Sequence, residues 1–134
     1  MKRLLLVLLI LAPLCSVAHA GEKPNTVLIH PGEVFYARFT QSGKKLKLVS
    51  ATKELDEKAQ VVLTMNTNKQ DGVITLKLEN KFAKDLLYNA DMRSLTQKMH
   101  KQVTVLPVVT GKVSFEHFPP LVEELAVYGF ELQM

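Results

Sequence analysis

Residues 73–80 read Val-Ile-Thr-Leu-Lys-Leu-Glu-Asn, and this stretch carries the period of two that decides the fold class. Ile74, Leu76 and Leu78 alternate with polar side chains. Because successive side chains of a β-strand point to opposite faces of the sheet, the alternation predicts a strand with one buried and one solvated face. Similar alternating or apolar runs occur at 27–29, 35–39, 46–48, 61–65, 86–92, 103–109, 113–115 and 124–132.

Turn residues separate these runs. Asp71-Gly72 lies between the runs at 61–67 and 73–80. Asp-Gly tolerates the positive φ angles that tight hairpins require, so we predict that these two runs pair antiparallel. Ser42-Gly43 and Pro31-Gly32 predict turns on either side of the run between them.

Two segments depart from the alternation. Ala51–Gln60 is rich in charged residues and alanine, which predicts a short exposed helix or a loop. Arg93–Gln102 contains Ser94-x-x-Gln97, the form of a helix-capping box, in which the serine and glutamine side chains satisfy free backbone donors at a helix start. A short helix or a loop is therefore expected there as well.

In the C-terminal segment, the alternation of apolar residues shifts by one position. Leu125 and Val127 share one parity, whereas Phe130 and Leu132 share the other. A β-bulge at Gly129 would supply one extra residue and return both later side chains to the core face. About seven to nine short strands with turns at regular intervals predict a single antiparallel immunoglobulin-like β-sandwich. A small β-barrel is the alternative fold.

The first residues resemble a secretory signal peptide. Two basic residues precede the apolar run at 4–14, and Ala18-His19-Ala20 fits the small-residue cleavage site. The apolar run has about half the length needed to cross a bilayer. We therefore predict cleavage of residues 1–20 and a periplasmic or secreted domain, residues 21–134, with no transmembrane segment.

The cysteine content and the net charge narrow the functional classes. Cys15 is the one cysteine, and a lipoprotein signal would acylate it, but the preceding Leu14 is bulkier than that signal allows. The domain is therefore expected to fold without a disulfide. The net charge of +4 falls to about +2 without Lys2 and Arg3, which gives no reason to expect a nucleic-acid partner.

Part of the sequence is similar to known bacterial domains. The stretch 73–88, in which a strand ends in Asn80 and a polar turn leads to the next strand, resembles a recurrent element of bacterial immunoglobulin-like domains. The C-terminal half is similar to small exported bacterial proteins of unknown function, through Tyr88-x-Ala90-x-Met92, Thr104-x-Leu106-Pro107-Val108-x-x-Gly111, Phe115-Glu116-x-Phe118-Pro119 and Glu124-Leu125-x-Val127-x-x-Phe130-x-Leu132. The resemblance implies the β-sandwich and implies no catalytic residue.

Histidine and methionine provide the candidate metal site. His100 follows Met99 directly, and Met92 and His117 lie nearby in sequence. Imidazole and thioether groups suit copper, so a periplasmic copper-binding protein is one alternative. The spacing matches no metal motif, and Met92 equally suits a gap in a core while the histidines occupy loops. No cofactor is therefore expected.

No enzymatic motif is present in the sequence. It contains no H-E-x-x-H, no G-x-S-x-G and no glycine-rich phosphate loop. The adjacent acids Asp56-Glu57 and Glu123-Glu124 would diverge on a strand or a helix, so neither pair predicts a proton-sharing dyad. We expect the protein not to be an enzyme.

The remaining class is a binding module. Exposed edge strands and loops of antiparallel sheets often recognise partners. Tyr128 has the opposite parity from Leu125 and Val127 and is expected to face outward. We predict contact with another envelope protein through Tyr128, Phe118 and the edge near Pro107, or through the loop at 112–120. A peptidase inhibitor is a further alternative in this class.

Overall fold

The computed structural model describes residues 23–94, 96 and 99–134, so the predicted leader lies outside the described residues. Nine strands and no helix occur within these ranges. All strand pairings are antiparallel, which confirms the predicted all-β fold. The strands are β1 Val27–Ile29, β2 Val34–Ser42, β3 Lys45–Thr52, β4 Val61–Thr67, β5 Ile74–Asn80, β6 Asp85–Ser94, β7 Met99–Val103, β8 Val113–Phe118 and β9 Glu124–Gln133.

The strands form one curled sheet. Its order is β7-β6-β9-β3-β2-β4-β5-β8, and β1 pairs separately with β9. The hydrogen-bonded path narrows to a single residue pair, Lys45 opposite Glu131, between β3 and β9. A sandwich has two separate sheets and a barrel has one closed sheet. The curled sheet resembles a sandwich because its two halves are nearly separate, and it resembles a barrel because the two halves remain hydrogen-bonded in one sheet.

The predicted hairpin between β4 and β5 is confirmed. Leu63 lies opposite Leu78 and Met65 lies opposite Leu76 in this ladder. Gly72 has a φ of +76°, a conformation that glycine adopts without steric penalty, and its N–H donates to the carbonyl of Asn68. The sequence signal for a turn therefore reflects a real backbone requirement.

The predicted bulge in β9 is confirmed as well. Gly129 has a φ of +68°, and the β6–β9 register shifts at this position. A Cβ at Gly129 would collide with the side-chain amide of Asn89. The extra residue brings Phe130 and Leu132 into the core, where they are buried together with Leu125. Glycine is favoured at this position mainly by its backbone conformation, and a larger residue would also require the Asn89 side chain to move.

The core lies between the two halves of the curled sheet. Phe39 of β2 packs against Phe130 of β9 with ring centroids 4.9 Å apart. The other large side chains that are fully buried share apolar character and come from both halves: Ile29, Leu63, Met65, Leu76, Leu78, Leu86 and Leu125. This core supplies the hydrophobic stabilisation that the domain needs without a disulfide.

Three segments refine the sequence predictions. Residues 53–60 form a loop, in which the Arg38 guanidinium hydrogen-bonds the Asp56 carboxylate and holds its pKa below the usual value. Ser94 ends β6 and its hydroxyl donates to Glu123 at 2.9 Å, whereas Gln97 of the predicted capping box lies outside the described residues. The strand expected at 103–109 is displaced to β7, because ladder pairing with β6 stops at Val103.

Candidate functional site

Strand β8 ends the hydrogen-bonded path and pairs only with β5 among the described strands. The Asn80 N–H donates to the carbonyl of Lys112 at 3.0 Å, so this opposed pair is a hydrogen-bonded one. Such pairs alternate along an antiparallel ladder. Ser114, Glu116 and Phe118 therefore direct their backbone groups to β5, and the residues between them direct theirs to the free edge.

The free edge belongs to Val113, Phe115 and His117. Within the described part of the chain, no backbone or side-chain group bonds to their N–H and C=O groups. An edge of unpaired backbone groups is a template for an additional strand. Three residues at a spacing of two present such a template here.

The side chains of β8 have an inverted polarity. Glu116 lies opposite the buried Leu76 and Ser114 opposite the buried Leu78, so both polar side chains are on the core face. On the outer face, Phe115 is 58% exposed and Val113 is 42% exposed. The solvent-exposed face of an edge strand is usually polar. The edge therefore combines free backbone groups with an apolar surface.

The segment 104–112 lies beside β8 and adds apolar surface. The Leu106 N–H donates to Glu116 Oε2 at 3.2 Å, and Val108 bridges to Leu86 of β6. Asn80 Nδ2 donates to the carbonyl of Val108 at 3.0 Å. Leu106 is 69% exposed and Val109 is 55% exposed. The Glu116 side chain, rather than a continuous ladder, thus connects this segment to β8.

The inner side of β8 faces a buried tyrosine. The hydroxyls of Tyr88 and Ser114 are both buried, and neither makes a hydrogen bond of normal geometry within the described chain. Burial raises the pKa of the Tyr88 phenol, and the negative charge of Glu116 raises it further. The Tyr88 phenol therefore stays protonated at neutral pH.

The residues predicted to contact a partner differ in their exposure to solvent. Pro107 is exposed, next to β8, but Phe118 is only 5% exposed and Tyr128 only 7% exposed. Tyr128 lies on the face opposite the core residues Leu125 and Val127, as its parity predicted, but it is not exposed there. The Nζ of Lys23 lies 4.7 Å from its ring centroid. The Tyr128 hydroxyl donates to Asp91 Oδ1 at 2.9 Å. Phe118 belongs to the core because it lies opposite the buried Ile74.

The predicted metal ligands do not form a described cluster. Met92 is 8% exposed and packs in the core, and His117 Nδ1 lies 3.1 Å from Thr75 Oγ1 on β5. The side chains of Met99 and His100 lie outside the described residues. Across the part of the chain that the structure describes, no group of three or more His, Cys, Asp or Glu side chains could hold a metal ion.

A charged cluster lies at the turn between β1 and β2. His30 contacts two carboxylates, Glu33 Oε1 at 3.0 Å and Glu124 Oε2 at 2.9 Å. Burial acts to raise the pKa of Glu33, but hydrogen bonds from Lys53 and His30 outweigh it and leave the pKa below its usual value. Arg93 pairs with Glu124 on the other side. These contacts tie the turn to β9 and indicate a structural role.

A cleft of about 270 Å³ lies beside the bulge in β9. It is lined by the segment Lys23–Asn25 and by parts of β3 and β9, including Lys45, Tyr128 and Glu131. Asn25 lines the cleft, and its Oδ1 accepts a hydrogen bond from the Leu48 N–H at 3.0 Å. The cleft holds two lysines and one glutamate, with no set of convergent groups that would define a ligand.

Comparison of the chain with protein-family models, with curated proteins and with solved structures gives no match. Within the described ranges, no helix is long and apolar enough to cross a membrane. The geometry of β8 is therefore the main guide to function. The sequence predicted a contact near Pro107 or within 112–120 but did not identify Val113 and Phe115 as exposed residues there.

Proposed function

We propose that the protein is a non-catalytic interaction module that binds an extended polypeptide segment along the free edge of β8. The observation that carries the proposal is the coincidence of unpaired backbone groups and exposed apolar side chains at Val113 and Phe115. Strand addition to a sheet edge uses both features.

The expected mode of binding follows from the strand geometry. The backbone groups of Val113, Phe115 and His117 would bond to the added strand and supply affinity that is independent of its sequence. The Phe115 ring would supply selectivity for apolar side chains, because aromatic residues contribute large contact areas at interfaces. The exposed Leu106 and Val109 extend the apolar surface beside the edge.

We further propose that this module acts outside the cytoplasm, in the periplasm or as a secreted protein. The basic start, the short apolar run and the Ala18-His19-Ala20 sequence support this part of the proposal. Amino-terminal sequencing of the protein recovered from the cell envelope or the medium tests it. The expected first residue is Gly21, and a cytoplasmic protein that retains Met1 would contradict it.

Photo-crosslinking in cells tests the interaction edge. A benzoylphenylalanine placed at Val113 leaves Phe115 intact and lies at the proposed interface. The same group at Val49, which is 60% exposed on β3, is the matched control. We expect a discrete adduct from position 113 that disappears when Phe115→Lys is added. Equal adducts from positions 113 and 49 would contradict the proposal.

The copper-binding and peptidase-inhibitor alternatives remain predictions. Met92 is buried, and no described contact joins it to His117. Calorimetric titration with Cu(I) and Cu(II) tests the first alternative, and inhibition assays with a panel of proteases test the second. Binding or inhibition that survives Phe115→Lys would place the activity away from β8.

A further inference from the structure

We infer that the polypeptide segment fitted by β8 is the β8 strand of a second copy of this chain. The inference rests on the proposed function of the β8 edge and names its partner. Two antiparallel β8 strands related by a two-fold axis would join two copies into one continuous sheet. Such an interface is isologous, since the same patch is used by both copies.

The backbone of β8 is self-complementary around Phe115. In an antiparallel pair centred on this residue, Phe115 lies opposite its own counterpart and Val113 lies opposite His117. These are the residues whose N–H and C=O groups point away from β5. The three opposed pairs would exchange about six backbone hydrogen bonds, two for each pair. No free group of the edge would remain unused.

The side chains of β8 suit the same register. The two Phe115 rings would meet on the outer face as a cross-strand aromatic pair, which is a stabilising combination. On the inner face, Glu116 would lie opposite Ser114 of the second copy, a small neutral side chain. One oxygen of Glu116 accepts from Leu106, and Oε1 has no described partner. The carboxylate therefore meets no like charge in this register.

Neighbouring registers are less favourable. A shift that centres the pair on Glu116 would place the two Glu116 carboxylates opposite each other, and like charges directly opposite are destabilising. A shift that centres it on Ser114 would place His117 opposite Gly111, which lies in the turn before β8. The pairing would then lose part of its length. The Phe115-centred register is the one that pairs all three free-edge residues with one another and keeps the two Glu116 carboxylates apart.

The area available is small, so we expect a weak dimer. An edge of six residues with two exposed apolar side chains falls at the low end of the size range for specific interfaces. Sedimentation velocity over about 1–500 µM, using protein purified from cells that express the full sequence, should show a concentration-dependent monomer–dimer equilibrium. A monomer throughout this range would overturn the inference.

The variant Phe115→Lys tests whether the dimer uses this edge. It removes the aromatic pair and places two like charges opposite each other, so the dissociation constant should rise by at least about tenfold. Val49→Lys introduces a lysine at a similarly exposed residue of β3 and should leave the constant unchanged. Val113→Lys, which should also weaken the dimer, provides a second variant should Phe115→Lys alter the fold. Equal weakening by the β3 and β8 variants would overturn the inference.

Cysteine pairs test the register. Across the proposed axis, residues 114 and 116 form a close pair with Cα atoms about 4.5 Å apart, within the range for a disulfide. In a Cys15→Ser background, mixing Ser114→Cys with Glu116→Cys should yield the mixed disulfide on oxidation. Ser114→Cys dimers alone would indicate the Ser114-centred register, and Glu116→Cys dimers alone the Glu116-centred one; either result overturns the proposed register.

The outcomes separate this inference from the proposed function. A chain that stays monomeric but gives the in-cell adduct at position 113 with a different protein overturns the second-copy partner and leaves the interaction edge in place. A chain that gives neither a dimer nor an adduct overturns both. A dimer that is weakened by Phe115→Lys, together with an adduct of twice the chain mass, supports both.

Discussion

Strands β5 and β8 are neighbours in one ladder, yet their faces have opposite polarity. β5 directs Leu76 and Leu78 into the core and directs Lys77 to the surface. β8 directs Glu116 towards the core and exposes Phe115, which lies opposite Lys77. The apolar side chains of β5 are buried and stabilise the fold. The exposed apolar side chains of β8 contribute little to the free energy of folding. The comparison predicts that substitutions on the two strands affect different properties.

The largest expected effect is on the core face of β5. Leu76→Ala leaves a cavity at a fully buried side chain, so we expect a loss of about 2–5 kcal/mol in the free energy of unfolding. Urea denaturation monitored by circular dichroism measures it. Lys77→Ala, one residue away on the outer face, should change the free energy by less than about 0.5 kcal/mol. Similar losses from the two variants would remove the distinction between the faces.

A second comparison concerns two buried tyrosines. Tyr128→Phe removes a hydrogen bond to the buried carboxylate of Asp91 and should destabilise the protein by about 1.5–3 kcal/mol. The Tyr88 hydroxyl is buried and interacts with Ser114 without a hydrogen bond of normal geometry, so Tyr88→Phe should change the free energy of unfolding by less than about 1 kcal/mol. Thermal or urea unfolding of the two variants measures these changes in stability. A marked loss in Tyr88→Phe would mean that the contact between the Tyr88 and Ser114 hydroxyls is a strong hydrogen bond.

The loss of stability at alkaline pH is an independent test of the burial of Tyr88 behind β8. Burial, followed by the charge of Glu116, raises the pKa of Tyr88 above its unfolded value of about 10. The folded state then binds the phenol proton more tightly, so its stabilisation is complete below pH about 10 and is lost as the pH rises further, by about 1.4 kcal/mol per pH unit. Tyr88→Phe should lose less stability than the parent between pH about 10 and 11. Parallel stability curves would contradict this expectation.

The smallest expected effect on stability is at the outer face of β8. Phe115→Ala removes a ring that is 58% exposed, so the free energy of unfolding should change by less than about 0.5 kcal/mol. The same variant should weaken the interaction at the edge, which separates binding from folding. Leu78→Ala, two ladder positions from Leu76 in β5, is the control and should behave as a core variant. A large loss of stability in Phe115→Ala would mean that the ring is part of the core.

Local patterns were sufficient for much of the fold. The alternation at 73–80 identified β5 with its buried face, and the phase change at Gly129 identified the bulge. Both depend on interactions between residues that are close in sequence, since a strand's side-chain period and a glycine's conformational freedom are local properties. The displaced strand at 99–103 was missed because its pairing with β6 carries no clear periodic signal in sequence.

The interaction edge required more than local pattern. The stretch Val-Ser-Phe-Glu-His-Phe, residues 113–118, has apolar residues on both parities, so its sequence allows either face to be the inner one. Pairing with β5 determines which face of β8 is buried, because Phe118 lies opposite the buried Ile74 and is buried with it. The exposure of Phe115 follows from that choice. Likewise, Tyr128 is buried on the outer face of β9, where Lys23, which is far away in sequence, lies against its ring.

The amino-acid sequence by itself determined the all-β class, the antiparallel hairpin at Asp71-Gly72 and the bulge at Gly129. The tertiary structure alone decided which strands lie at the ends of the sheet and which face of β8 meets the core. The physical reason is the range of the interactions involved. Turn and alternation preferences act between near neighbours, whereas the partner of an edge strand is set by contacts between distant segments that only the folded chain brings together.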